Sequence, residues 1–247
     1  MSEPTPAGGA SLRSDDPLAH AAGEVIRSGT AAELQQLLHE HPALVRARLR
    51  DERSHGRTLL HVVTDWPGHV PEAGAKVRAL AAAGAEVDAR FIGPHTETAL
   101  HWAASSDDVE ALDALLDAGA DIEADGAVIG GGTPIADAVA FGQWNAARRL
   151  LERGATTDLW QAAALGLADR VRDELAHGTP ARHDLDNALW CAAHGGQRET
   201  ASLLLDRGAD PAWVGHDQLD AAAAAERSGA NELAEWLRGQ TGRARAR

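Results

Sequence analysis

The sequence is poor in cysteine and, apart from tryptophan, in aromatic residues. Its 247 residues contain one Cys, no Tyr and two Phe, against seven Trp. A lone Cys excludes an intramolecular disulfide, so no cross-link of this kind stabilises the fold. Low cysteine use is typical of proteins that work in the reducing cytoplasm. We therefore expect a cytoplasmic protein whose fold depends on packing and hydrogen bonds.

Basic side chains are scarce relative to acidic ones. Lys and Arg total 23 against 37 Asp and Glu, which gives a formal net charge of -14. This charge repels phosphate backbones and anionic lipid surfaces. The sequence has no apolar run long enough for a membrane span and no basic, then apolar, export signal at its start. It thus predicts a soluble protein that binds neither nucleic acid nor membranes.

What the chain does contain is a repeated apolar pattern, and 44% of its residues are hydrophobic. The clearest copy is Thr98–Ala104, followed by Val109–Leu116 and then by Gly119–Asp121. Shorter matches to parts of it occur elsewhere in the chain. They are Thr58–His61, Thr133–Ala136 and Gly208–Asp210.

The clearest copy predicts two short helices joined by a tight turn. Thr98 can cap the first helix, where Leu100, Ala103 and Ala104 form an apolar stripe. A second stripe of helical spacing runs through Val109–Leu116, and the glycine that follows can end the second helix. Such a pair cannot bury its apolar side alone, so neighbouring pairs must stack.

These segments resemble ankyrin repeats, whose period is about 33 residues. The resemblance implies an all-α solenoid of about seven helix-pair units with short β-hairpin finger loops, over residues 18–238. Residues 1–17 are expected to form a disordered leader, and residues 239–247 a frayed basic tail. The units are predicted to begin near His20, Thr58, Thr98, Thr133, Thr157, Asn187 and Asp220.

The resemblance also implies a role. Ankyrin repeats are typically recognition modules that bind a protein partner through a concave groove and the finger loops, with no cofactor. His61 and His101 match the His of the family's Thr-Pro-Leu-His motif, which implies a hydrogen-bond bridge between neighbouring repeats. A partner that carries basic residues would suit the acidic chain.

The spacing departs from the family pattern in three ways. Residues 66–74 are an insertion that lengthens the turn between two helices. The connections 90–97 and 125–132 are slightly long, so two adjacent fingers should project. Between Gly154 and Trp160 the hairpin is almost absent, so one repeat should lack its finger. A pair of long fingers beside a missing one predicts a notch.

The first helix of each ankyrin-like unit lines the concave side, and its exposed positions share one face. At these positions the sequence places indole, carboxylate, hydroxyl, amide, thiol and imidazole groups. The candidate partner- or ligand-binding residues are Asp65, Trp66, Trp102, Ser105, Ser106, Asp137, Phe141, Gln161, Leu165, Cys191 and His194, with His95 on a finger loop.

Four further tryptophans are predicted to pack in the core. Trp160 and Trp190 take the place of the family's inter-repeat His, and Trp144 and Trp236 lie on second helices.

The same mixture of groups is typical of a small-molecule pocket, which is the alternative hypothesis. Such a pocket would lie around Trp102, Asp137, Gln161 and His194. An enzymatic version would use Cys191 and His194 as a thiolate–imidazole pair, with Asp137 as the orienting group. No feature of the sequence lowers the thiol pKa, and no metal-binding spacing is present. The sequence thus favours binding over catalysis without deciding between them.

Overall fold

The computed structural model describes residues 11–245, with side chains to Thr241. Most of the predicted leader, residues 1–10, and the end of the predicted tail, residues 246–247, lie outside the described residues. The chain divides into two compact units, residues 1–155 and 156–247. Each unit consists of consecutive helix pairs, as the repeated pattern predicts.

Fourteen helices form seven pairs in the described residues. The first unit contains α1 (Pro17–Ser28), α2 (Ala31–Glu40), α3 (Leu59–Thr64), α4 (Ala73–Ala82), α5 (Ala99–Ser105), α6 (Val109–Asp117), α7 (Pro134–Ala140) and α8 (Trp144–Glu152). The second contains α9 (Leu159–Ala164), α10 (Ala168–His177), α11 (Arg182–His194), α12 (Arg198–Asp206), α13 (Ala221–Arg227) and α14 (Asn231–Arg245).

The predicted stripes form the core between successive pairs. Leu100, Ala103 and Ala104 of α5 and Leu112 and Leu115 of α6 are fully buried. Helix α5 packs against α3 on one side and α7 on the other, and α6 packs against α4 and α8. Each stripe is therefore covered by the neighbouring repeat, which removes apolar surface from water.

The connections between pairs form three neighbouring fingers in the first unit. Finger 1, residues 48–57, contains strands β2 (Arg48–Arg50) and β3 (Gly56–Arg57), which pair antiparallel. Finger 2, residues 90–97, is closed by a 2.7 Å bond from the Phe91 N–H to the Glu97 carbonyl. Finger 3, residues 125–132, is closed by bonds between Gly126 and Gly131 and between Ala127 and Gly132, both 3.0 Å.

The three fingers lie side by side. Gly56 of finger 1 and Ile92 of finger 2 exchange two backbone hydrogen bonds. Arg90 of finger 2 forms a 2.8 Å ion pair with Asp125 of finger 3. Gly126 has a φ of +110°, and a Cβ there would lie 2.5 Å from the Thr96 carbonyl oxygen. Fingers 2 and 3 can therefore approach this closely only with glycine at position 126.

Order begins earlier than the sequence predicts. Strand β1 (Ser11–Arg13) pairs in parallel with β2, with Leu12 opposite Leu49. This strand lies within residues 1–17, which were assigned to a disordered leader, so that boundary is corrected for residues 11–17. The physical reason is that β2 offers an unpaired edge that a short polar segment can complete.

The inserted loop of residues 66–74 is held against the following repeat. The His69 N–H donates to the carboxylate of Asp108, at 2.9 Å, and Asp108 also caps α6 through the Ala111 N–H, at 3.0 Å. The Gly74 N–H donates to Glu110, at 3.1 Å. The insertion thus joins two repeats through backbone donors.

The second unit departs from the regular pattern at α11. This helix has 13 residues, whereas the corresponding helices α9 and α13 have six and seven. It begins at Arg182 rather than near Asn187, because extra helical turns occupy the place of a finger. Helix α14 continues to Arg245, so residues 239–245 are helical and not a frayed tail.

No helix within residues 11–245 combines the length and the apolar character that a membrane crossing requires.

The only lysine of the sequence, Lys76, is fully buried on α4. Its ammonium group donates to the Ile26 carbonyl, at 2.7 Å, in the last turn of α1. Burial lowers the pKa of Lys76, while the charges of Glu72 and Glu33 oppose that shift. A cation at this position also suits the negative end of the helix dipole.

Replacement of Lys76 by Met should destabilise the first unit. The thioether fills much of the space but leaves the Ile26 carbonyl without its donor, which costs about 1–3 kcal/mol in the free energy of unfolding. Urea denaturation followed by circular dichroism measures this. Arg78→Met on the same helix is the matched control, because Arg78 is exposed. Equal effects of the two substitutions would contradict the assigned role of Lys76.

Candidate functional site

Two buried histidines connect neighbouring repeats in the first unit. His61 Nδ1 accepts a hydrogen bond from the backbone N–H of Thr58, at 3.3 Å, so Nε2 carries the proton and donates to the Glu97 carbonyl, at 3.2 Å. His101 repeats the arrangement with Thr98 and the Gly132 carbonyl, at 3.1 and 3.3 Å. Burial lowers the pKa of both imidazoles to about 4. The predicted bridging role is confirmed, and the bridges hold the ends of fingers 2 and 3.

An aromatic cluster lies next to these bridges. The Trp102 indole contacts His61 edge-on, with ring centroids 4.8 Å apart, and Phe91 of finger 2, at 5.3 Å. Its Nε1–H donates to a Glu97 carboxylate oxygen, at 3.2 Å. Trp102 is therefore half-buried and fixed at the base of finger 2, rather than free in the groove.

Beneath this cluster the carboxyls of Glu97 and Asp137 form a buried pair. Glu97 is 6% exposed and Asp137 is fully buried. One Asp137 oxygen accepts from the Ile129 N–H of finger 3, at 3.4 Å, and no donor among the described residues reaches the other. The side-chain partner of Asp137 is the Glu97 carboxyl, so a hydrogen bond between them requires a shared proton.

Both carboxyls hold a proton more tightly than usual. Burial raises the pKa of Asp137 to about 7, with a further contribution from the negative charge of Glu97. Burial also raises the pKa of Glu97, while the hydrogen bond from Trp102 opposes that shift. A pair of this kind carries one negative charge instead of two.

Several large apolar side chains of the first unit are exposed. Trp66 at the end of α3 is 76% exposed and Phe141 at the end of α7 is 49% exposed. The finger residues Ile92, Val128 and Ile129 are 38–41% exposed. We call these five residues the apolar face.

The other predicted residues of the first unit have structural partners. Asp65 is half-exposed and pairs with Arg57, at 2.5 Å, and burial raises its pKa against the effect of Arg57. The Ser105 hydroxyl donates to the Trp102 carbonyl, at 3.0 Å. Ser106 is buried and its hydroxyl donates to the Thr64 carbonyl, at 3.4 Å, so the expectation that it lines an open groove is corrected. His95 is exposed on finger 2, as predicted.

Two of the four candidates of the second unit, Gln161 and Cys191, are buried. Gln161 is buried and accepts from the Asp158 N–H, at 2.7 Å, which completes a cap of α9. His194 contacts the Ser228 hydroxyl, at 3.2 Å. Leu165 is half-buried at the end of α9. The structure thus assigns Gln161 to capping rather than to a ligand surface.

Cys191 is buried, and burial raises the pKa of its thiol to about 12. Its sulfur lies 3.9 Å from the Asn187 side-chain oxygen. A thiol in this environment stays protonated at neutral pH and is a poor nucleophile. The thiolate–imidazole hypothesis for Cys191 and His194 is therefore not supported by the environment of the thiol.

The second unit contains a cavity next to the short connection of residues 154–160, where the sequence predicts a missing finger. It has a volume of about 670 Å³ and lies between the start of α9, the end of α10 and the extension of α11. Its lining residues are Asp158, Leu159, Trp160, Glu174, His177, Gly178, Thr179, Pro180, Asp184 and Asn187. Trp160, predicted to be core, is half-buried in its wall, whereas Trp190 is buried as predicted. The short connection before Trp160 was the sequence signal for this depression.

In the part of the chain that the structure describes, no three His, Cys, Asp or Glu side chains come together as a metal site.

The repeated helix pairs, the fingers and the imidazole bridges define a helical repeat protein with β-hairpin loops. The family model for ankyrin repeats matches residues 18–126 and 77–159, and the single-repeat model matches residues 184–215. The chain belongs to the ankyrin repeat family.

A search of curated proteins found no match. Among solved structures, the chain is similar to the human ASB11 ankyrin repeat domain, at 23% identity and a TM-score of 0.53. The alignment covers 90% of this chain and 97% of that one. The likeness supports the fold.

The buried carboxyl pair predicts an unusual pH dependence of stability. A carboxyl whose pKa is higher in the folded than in the unfolded chain binds more protons when folded, so its contribution to stability falls as pH rises from about 4 to about 7. Asp137→Asn removes this loss of stability, because the amide of Asn does not ionise as pH rises. The thermal midpoint of the variant relative to wild type should therefore rise between about pH 5 and about pH 8, by roughly a few degrees.

The comparison must be made between the two proteins at each pH. His61 and His101 have lowered pKa values, so their protonation in acid destabilises both proteins with the opposite slope. Differential scanning calorimetry at matched pH isolates the Asp137 contribution. A difference in midpoint that stays constant with pH would contradict the assignment.

Proposed function

We propose that this protein is a cytoplasmic recognition module that binds a protein partner through the apolar face of its first unit. Ankyrin repeats are generally protein-interaction modules, and the chain belongs to that family. The observation that supports the location is the exposure of Trp66, Phe141 and three finger residues. Exposed apolar groups of this size are typical of interaction surfaces.

The surroundings of the apolar face suit such a surface. Fingers 2 and 3 are fixed at their bases by the imidazole bridges, so Ile92, Val128 and Ile129 are presented on an ordered frame. A frame that is ordered before binding loses less conformational entropy on association. Energy of interaction concentrates in a few large side chains, which makes Trp66 and Phe141 the expected hot spots.

The charge of the chain indicates the kind of partner. With a formal net charge of -14, the protein attracts basic surfaces and repels acidic ones. We infer a partner segment with apolar side chains flanked by Arg or Lys. Apolar contacts would supply most of the affinity, and the flanking charges would accelerate encounter.

The double substitution Trp66→Ala, Phe141→Ala should abolish capture of the partner. Quantitative mass spectrometry of cytoplasmic extracts, with wild-type and variant proteins as bait, identifies proteins lost from the variant. For each purified partner, the dissociation constant should rise at least about tenfold, because each lost hot spot costs over about 1 kcal/mol.

Val214→Ala is the matched control, because Val214 is an exposed apolar residue of the second unit, at 55% exposure. Its partner binding should equal that of wild type. Circular dichroism should show that all three proteins have the same helical content. Retention of every captured protein by the double variant would place the interface elsewhere.

A second candidate function is the binding of a small cationic molecule in the cavity of the second unit. The cavity combines an apolar wall of Leu159, Trp160 and Pro180 with carboxylates on three elements. No Lys or Arg is among its lining residues. Indole faces and carboxylates together favour an aliphatic amine with more than one positive charge. The small-molecule site proposed here differs from the one that the sequence suggested, because none of its lining residues is Trp102, Asp137, Gln161 or His194.

Spermidine is a suitable probe for this second function. Isothermal titration calorimetry should detect binding to wild type, and Trp160→Ala or Asp184→Asn should weaken it about tenfold. Asp173→Asn is the control, because Asp173 is exposed on α10 outside the cavity. Equal weakening by all three substitutions would indicate nonspecific attraction to an acidic protein and would contradict a site in the cavity.

A further inference from the structure

The Glu97–Asp137 pair occupies the junction between fingers 2 and 3. Glu97 is the last residue of finger 2, and its carbonyl accepts from both the Phe91 N–H, at 2.7 Å, and His61, at 3.2 Å. Asp137 lies on α7 and accepts from the Ile129 N–H of finger 3. The two carboxyls therefore connect the base of one finger to the tip region of the next.

This connection depends on a proton because both partners are carboxyls. With one proton between them, one group donates and the other accepts, and the pair carries a single buried charge. Without it, the site would hold two interacting negative charges with little access to water. Burial makes this repulsion far stronger than it is at the surface. One Asp137 oxygen is buried and receives no hydrogen bond from the described residues, and we assign the shared proton to it.

The surrounding charged groups do not supply an alternative counter-charge. On α3, α5 and fingers 2 and 3 the titratable or charged groups are His61, His101, Arg90, His95 and Asp125. Helix α8, which packs against α7, carries the exposed Arg148 and the mutually paired Arg149 and Glu152. The two buried imidazoles have lowered pKa values and stay neutral near pH 7. Arg90 is paired with Asp125. His95 is exposed, and its charge favours the ionised form of Glu97.

We propose that the Glu97–Asp137 pair is a proton-operated latch that ties the base of finger 2 to α7 when one proton is shared and releases this tie when that proton is lost to water. Asp137 is carried by a helix, whereas Glu97 ends a loop whose residues 93–96 are exposed. Repulsion between the two carboxylates would therefore displace finger 2 rather than α7.

The latch regulates the apolar face, and in this respect the inference rests on the proposed function. Ile92 lies on finger 2, whereas Val128 and Ile129 lie on finger 3. A shift of the base of finger 2 changes the spacing of these three side chains and loosens the Trp102 indole, which donates to Glu97. A partner that needs the closed arrangement would bind more tightly in mildly acidic than in mildly alkaline conditions.

Nuclear magnetic resonance of the whole chain tests the latch without any partner. The indole N–H of Trp102 and the backbone N–H of Ile129 each donate to one member of the pair. Their resonances should shift together in one transition between about pH 6 and about pH 8, because the pKa of Asp137 is about 7. Their hydrogen exchange, corrected for its intrinsic pH dependence, should accelerate through the same transition.

Asp137→Asn and Glu97→Gln should each abolish the transition, because an amide donates a hydrogen bond to the remaining carboxylate at every pH. Glu52→Gln is the control that should retain it, since Glu52 is exposed on finger 1 and lies outside the pair. Absence of a transition in wild type, or an unchanged transition in both pair variants, would overturn the latch. Neither result depends on whether the apolar face binds a partner, so failure of the two proposals is distinguishable.

Discussion

Burial of apolar stripes between neighbouring helix pairs is the constraint on which each unit depends. A helix of six or seven residues, such as α3, α5 or α7, is too short to be stable alone in water. Each one persists because Leu and Ala residues on both of its sides are covered by adjacent repeats. The repeats can therefore tolerate changes in loops, provided that the stripes remain continuous.

Polar contacts decide where the fingers stand on this apolar frame. The cap Thr, the buried His and the carbonyl of the next finger form one chain of hydrogen bonds in two successive repeats. Because the imidazoles stay neutral, these bridges do not change near neutral pH. The Glu97–Asp137 pair lies beside them and is the group that titrates there. Fixed bridges and one titrating contact thus act on the same pair of fingers.

The sequence predicted the exposure of part of the candidate surface correctly. Several other predicted residues proved to be buried, because equivalent positions of the first helices differ in exposure. The prediction assumed that equivalent positions on the first helices are equally exposed, which holds for Trp66 and Phe141. It fails for Ser106 and Gln161, which are buried and hydrogen-bonded to neighbouring backbone, and for Cys191, which is buried. Glu97 was missed altogether, because a residue next to a helix cap is ordinarily solvated and only the fold of finger 2 buries it.

By itself the sequence determined the helix pairs, their caps, the apolar stripes and the histidine bridges, because each depends on residues within one repeat or at a fixed spacing from it. The tertiary structure decided the features that join distant segments. It paired strand β1 with β2 and extended α11 in place of a finger. It also brought Glu97 and Asp137, forty residues apart in sequence, into one buried pair. No local pattern encodes such a contact, since its energy arises from burial and from a proton that the two side chains share.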